Sequence, residues 1–274
     1  MDLTLHANNT FGAFRWNSVL LFSYVRDKVT KYEQIQAAVN NYLTVNTLNP
    51  LLGHPLYSVY ALRWEGLDDL AGNPQGYLNG AGQTPGKVTE DYNAILFSPD
   101  LSNLIYKGPA SPPYFGGWRN NLFWRQWGLS CNIVYKLGYV FRRTSINYTT
   151  LYGGNSPGHP DYDRRWQNPG DELHTNVPSR PIPILATTQS RDNFYQNSEV
   201  LVENGDLVRL QDVQLTYDFS RAAHPKLPME QLRIYLYANN LGLIWKANHS
   251  GIDPDFVSTV PNPRTLALGI KASF

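Results

Sequence analysis

The chain has 274 residues and a net charge of +1, with charged residues at 16% and aromatics at 13%, including 18 Tyr and 7 Trp. So balanced a charge gives no field to gather nucleic acid, and the single Cys131 excludes a disulfide framework or a cysteine metal site. No apolar run approaches the roughly 18 residues of a membrane-crossing helix; a membrane barrel, whose strands show lipid only alternate side chains, is not excluded.

Met1 opens on "DLTLHANN", without the basic and apolar regions of a secretory leader, so no signal peptide is expected in this chain. "FRWNSVLLFSY" then places Phe14, Trp16, Leu20, Phe22 and Tyr24 on one strand face, with Val19 and Leu21 blurring the other. A long connection of roughly 30–110 follows, in which Tyr32, Ile35, Val39, Tyr42 and Leu43 recur at helical spacing and predict a short helix. "RNN" at 119–121 reads as a short connection. From Leu122 to about Arg143 the pattern predicts one very long strand, with Trp127, Leu129, Cys131, Ile133, Tyr135, Leu137, Tyr139 and Phe141 on its apolar face. After a second long connection, 144–205, "VQLTYDF" (213–219) and "LRIYLYANN" (232–240) alternate in the same way around a shorter link at 220–231. A third long connection, 246–262, leads to "TLALGIKASF", where Leu266, Leu268, Ile270, Ala272 and Phe274 face away from Thr265, Ala267, Gly269, Lys271 and Ser273. Long strands with two chemically different faces, and connections alternating short and long, are the pattern of a membrane barrel with short turns at one rim. The reading is all-β, with about six or seven antiparallel membrane strands.

Motifs for chemistry are sparse. "AGQTPGKV" (81–88) approaches a phosphate loop, but Val88 stands where a metal-holding hydroxyl is needed, and the stretch reads as a turn. His159, Asp161 and Asp163 could meet a metal, although a solvated loop explains them more simply, and Asp68 and Asp69 match a calcium loop only loosely. In "DYDRRWQNPGDELHTNVP" the Asn168-Pro169-Gly170 turn brings Arg164, Arg165, Trp166, Asp171 and Glu172 together, which predicts an ordered ion-pair and cation-π cluster. No catalytic residue, cofactor or metal site is predicted.

Several segments in order, "GHPLYSVYALRWEGLDDLAGNPQGYLNG", "GPASPPYFGGWRNNLFWRQWGLSCNI", "RRWQNPGDE", "LVRLQDVQLTYDF" and "LRIYLYANNLGLIWK" with "PNPRTLALGIKASF", resemble the C-terminal part of a SusC/RagA-type TonB-dependent outer-membrane transporter. The resemblance implies a barrel of about 22 strands closed by an N-terminal plug. It further implies uptake of oligosaccharides or peptides through the TonB complex, a SusD-like surface lipoprotein as lid, and placement in the outer-membrane lipid of a Gram-negative bacterium. The terminal Phe274 resembles the signal read by the barrel-assembly machinery. On this reading residues 1–274 all belong to the barrel domain, with long extracellular loops and with the plug and signal peptide absent. A fragment not competent alone is then expected. Selectivity would lie in loop and lumen side chains: Tyr148, Tyr152, Tyr162 and Trp166 as stacking surfaces, with Arg165, Asp171 and Glu172 beside them. The alternatives are a soluble secreted or periplasmic all-β module binding carbohydrate or peptide, and a β-rich hydrolase.

Overall fold

The computed structural model describes the chain except residues 34–36, 44–49, 81–85, 155–157, 185, 222–223 and 226–227. Two compact units emerge, one from residues 1–26, 112–139 and 205–274, the other from 27–111 and 140–204.

The first unit is an antiparallel sheet of seven strands in simple chain order: β1 (Asp2–Phe11), β2 (Phe14–Tyr24), β3 (Tyr114–Trp124), β4 (Trp127–Leu137), β5 (Leu207–Ser220), β6 (Gln231–Lys246) and β7 (Thr265–Ser273). Its register explains why the sequence alternates. Leu5 opposes Leu20, Leu20 opposes Trp118, and Trp118 opposes Ile133. Further along, Leu129 opposes Leu215, Leu215 opposes Leu236, and Leu236 opposes Leu268. One apolar face thus runs unbroken across all seven strands, and much of it is open to the surroundings, with Leu268 74% exposed. A soluble monomer rarely shows so wide an apolar surface.

Aromatic side chains gather at both ends of that face. Tyr24 stacks on Tyr114 at 4.9 Å at the end of the long connections, and Trp127 meets Tyr217 edge-on at 4.8 Å beside the short turns. Eleven residues, as in β2, β3 and β4, rise about 36 Å; tilted by about 45°, they cover roughly the 25 Å apolar band of a membrane barrel. The opposite face is polar: Asp218 takes a bidentate pair from Arg233 (2.6 and 2.8 Å), and Asn132 donates to Asp212 at 3.0 Å. The sheet is therefore a partial antiparallel transmembrane barrel. Among the described residues no helix is long and apolar enough to cross a membrane.

The structure revises several sequence expectations. Arg119, Asn120 and Asn121 do not turn; they lie in the middle of β3, opposite Val19, Ser18 and Asn17, and the Trp16 indole donates to Asn120 at 3.0 Å. The chain reverses instead at Arg125–Gln126, between the paired Trp124 and Trp127, with Arg125 in the left-handed region at φ 52°. The long strand expected from Leu122 to Arg143 is thus divided: 122–124 belong to β3, β4 ends at Leu137, Gly138 turns at φ 83°, and Val140–Arg142 is a short strand of the second unit. Residues 2–11, not anticipated as a strand, form β1.

The connection after β2 and the connection after β4 supply the second unit, which has cores of its own. Val39, Leu62, Tyr92, Ile95, Leu96 and Phe194 form one, and Ile146, Tyr148, Val177, Tyr195 and Leu201 the other. Helices α1 (Tyr92–Leu96), α2 (Tyr148–Tyr152) and α3 (Ala186–Gln196) pack there, with α3 giving Phe194 to one core and Tyr195 to the other. Of the helix expected around 31–43, the described part is a single 3-10 turn at Val39–Tyr42, and Ile35 lies outside the described residues. The 81–85 part of the phosphate-loop lookalike lies outside them too.

Candidate functional site

The aromatic residues singled out in the sequence all fall in the second unit, but in two different environments. Tyr148 is only 1% exposed. Its hydroxyl donates to the Pro178 carbonyl at 2.7 Å, and its ring stacks with Tyr152 at 6.4 Å. It is a core residue that aims its neighbour outward. Helix α2 begins where Asn147 accepts from the Thr150 amide at 2.8 Å, and the Asp192 carboxylate binds the Thr149 amide and hydroxyl at 2.7 and 2.8 Å. These caps fix the direction of Tyr152.

Tyr152 and Tyr162 meet hydroxyl to hydroxyl at 3.4 Å, each under a guanidinium: Arg180 over Tyr152 at 4.8 Å, Arg165 over Tyr162 at 4.1 Å. The hydrogen bond from Tyr152, aided by the two arginines, lowers the Tyr162 phenol from its ordinary value, while burial raises Tyr152. Leu151, Tyr152, His159, Pro160, Tyr162 and Asp163 line an open cleft here of about 670 Å³. Ring faces, phenolic hydroxyls, an imidazole and the Asp163 carboxylate in one concavity suit a polar ligand with flat or aliphatic surfaces.

Trp166 is 7% exposed, so its ring packs inside, against Gly72. A methyl carbon at Gly72, whose φ is +66°, would lie 2.5 Å from Cε3 and 2.6 Å from Cγ of that ring. The Trp166 indole donates to Glu172 at 3.0 Å. Glu172 also accepts from the Gly170 amide at 2.8 Å, and Asp171 accepts from the Gln167 and Asn168 amides, both at 2.9 Å. The acidic pair thus caps the turn and holds the indole, and these hydrogen bonds keep both carboxyls below their usual range. The expected ion pairs with Arg164 and Arg165 do not form among the described residues, and no guanidinium there lies over Trp166; Arg165 instead covers Tyr162, outside the expected cluster.

Asp161 likewise has a structural partner set. It accepts from Arg143 at 2.7 Å and from Ser145 at 2.5 Å, and Ser145 shares a 2.9 Å hydrogen bond with Tyr195. Burial alone would raise this carboxyl; Ser145 and Arg143 outweigh it and hold the group below its ordinary value. His159 accepts from the Asp161 amide at 3.1 Å as a cap. Asp68 accepts from the amides of Leu70, Ala71 and Asn73 at 2.9 to 3.2 Å, closing its own turn. Leu151 and Pro160, which complete the lining of the aromatic cleft, had no distinguishing pattern in the sequence, and His159 and Asp163 stood out there only as metal candidates.

Besides the Asp218–Arg233 pair, the polar face of the first unit carries an ion cluster around Arg209. Arg209 donates to both oxygens of Asp253 (2.6 and 2.7 Å) and to Asp255 at 3.2 Å, and Lys136 reaches Asp255 at 2.5 Å. It fastens the connection before β7 to β4 and β5.

No protein-family model matches the chain, and no curated protein matches it either. Solved structures do. A chain of the RagAB peptide importer in its open-open state superposes on all of this chain, with 21% identity, a TM-score of 0.70 and 28% of its own length covered. A chain of the RagAB peptide transporter aligns at 23% identity, and one of the importer in its closed-closed state at 21%, each with a TM-score of 0.70 and 29% of its length covered. The chain therefore spans under a third of the proteins it matches, and at these identities the likeness establishes a shared fold, the partial antiparallel barrel with its appended unit.

Proposed function

We propose that the chain supplies part of the barrel of a SusC/RagA-type, TonB-dependent transporter in the outer membrane of a Gram-negative bacterium, importing peptides or oligosaccharides. The observation that carries this reading is the apolar face kept in register through seven strands, with aromatic residues at both of its ends. A water-facing sheet would have to cover that surface, whereas lipid satisfies it. The fold shared with RagAB chains supports the transport reading. The partners that follow are a SusD-like surface lipoprotein, the TonB complex, outer-membrane lipid, and the barrel-assembly machinery acting on Phe274. Transport of this kind needs no catalytic residue. Substrate contact is assigned to the Tyr152–Tyr162 cleft with Arg165, while Tyr148, Trp166, Asp171 and Glu172 support it from behind.

Fluorescence of the chain in vesicles with brominated acyl chains tests the membrane placement. Trp118, on the outward face, should be quenched, and Trp166, in a core of the second unit, should not. A chain that stays monomeric without detergent, with Trp118 unquenched, sinks the proposal.

A further inference from the structure

We propose that the second unit holds a carboxylate-binding pocket at the N-terminal end of α3, centred on Arg191. This goes beyond the transport reading and does not depend on the sheet lying in a membrane. Arg191 is 5% exposed. Its Nε donates to Asn73 at 2.9 Å, and its Nη2 donates to the carbonyls of Gly72 (3.3 Å) and Ser179 (2.9 Å) and to the Ser179 hydroxyl (3.1 Å). Every one of these acceptors is neutral. Nη1 is enclosed without an acceptor, and among the described residues no carboxylate lies within ion-pair distance of the guanidinium. Asp192, next in sequence, spends Oδ2 on Thr149 instead. A buried cation lacking both a counterion and one hydrogen-bond partner is costly, and a charge-assisted bond to an anion is the strongest relief available.

The surroundings admit such an anion. Arg191 lines a cavity of about 430 Å³, with Arg180, Ser179, Thr187, Thr188 and Glu90 among the other walls. Thr187 stands in the first turn of α3, where the helix dipole favours negative charge. Glu90 is the opposing charge, and it is engaged by Asn73 at 3.1 Å and Gln75 at 3.4 Å. Two guanidiniums against one occupied carboxylate leave the cavity electropositive. An entering carboxylate takes the bond that Nη1 lacks by shifting the side chains that cover it. The same group is offered by a peptide C-terminus and by a uronic acid.

The test uses the full chain in detergent micelles and isothermal titration with five probes: trialanine, trialanine amide, galacturonate, galactose and inorganic phosphate. The acid of at least one pair should bind at least about tenfold more tightly than its neutral counterpart, the worth of one charge-assisted contact. Which pair responds identifies the source. Thr187 is exposed, so both of its variants should fold. Thr187→Asp places a carboxylate at the cavity mouth and should weaken acid binding by about tenfold or more, whereas Thr187→Asn should leave it nearly unchanged. Equal binding of acids and neutral counterparts, no binding of either acid, binding of inorganic phosphate alone, or indifference to Thr187→Asp would each overturn the pocket.

Discussion

Gly72→Ala should destabilise the second unit through Trp166, and the size of the loss can be built from two parts. The first is backbone strain: φ at Gly72 is +66°, a region that costs an L-residue about 1–2 kcal/mol. The second is overpacking, because the new methyl carbon meets the buried Trp166 ring well inside van der Waals contact, a conflict of about 1–3 kcal/mol in a core without room to relax. Gly154→Ala separates the parts, since Gly154 has a similar φ of +76° but nothing within 4 Å of an added carbon. For a unit of about 150 residues, Gly72→Ala should lower the melting temperature by about 10 °C and Gly154→Ala by about 4 °C. Thermal melts of the full chain in micelles, followed by tryptophan fluorescence and near-ultraviolet circular dichroism, provide the readout. Equal losses for the two variants would refute the claim that the Trp166 ring occupies the space a side chain at 72 would need.

Other outcomes follow from the same geometry. Because the folded Asp161 carboxyl sits below its ordinary value of 3.8, its stabilisation is complete above that pH and fades as pH falls through the lower folded value; Asp161→Asn should remove this acid dependence. At neutral pH the same change should cost about 1–3 kcal/mol, since Arg143 loses Asp161 but keeps Glu203 at 3.2 Å, read by denaturant titration. Leu129→Arg, on the outward face of β4, should cost about 2–4 kcal/mol of membrane stability and lower the yield of inserted protein, whereas Ser130→Arg on the polar face should be tolerated. In an assembled transporter, Tyr152→Ala with Tyr162→Ala should weaken substrate affinity about tenfold or more. An unchanged affinity would move the contact elsewhere.

What could be read from the chain depended on how far each pattern ran. β2, β4, β5, β6 and β7 were legible because a face turned to lipid needs an apolar side chain at every second position. β1 stayed hidden because Asn9 interrupts the outward series of Leu3, Leu5 and Phe11, leaving too short an alternation. The reversal at Arg125–Gln126 carries neither Gly nor Asn, so turn chemistry was silent there, while Asn120 and Asn121 mimicked it inside a strand. In the second unit the helices are short, and α3 buries the adjacent Phe194 and Tyr195 in separate cores, so a 3.6-residue period never builds up. The same shortness made Tyr148 and Trp166 look like surface aromatics, since their sequence neighbours are polar. Asp171 and Glu172 sit close to Arg164 and Arg165 in sequence, but the amides of Gln167, Asn168 and Gly170 are nearer donors and take the carboxylates first.

The sheet's strand count carries an arithmetic consequence. Strands that alternate in direction from β1 to β7 make the first and the last run the same way. Those two edges cannot join as antiparallel neighbours, however far the sheet curls. Closure without a parallel seam demands that whatever lies between them contribute an odd number of strands, which restores the even total seen in bacterial single-chain barrels. A 22-strand ring, with about fifteen strands beyond these seven, satisfies that parity, and a dimer of this sheet alone, at fourteen, would have to join like edge to like edge.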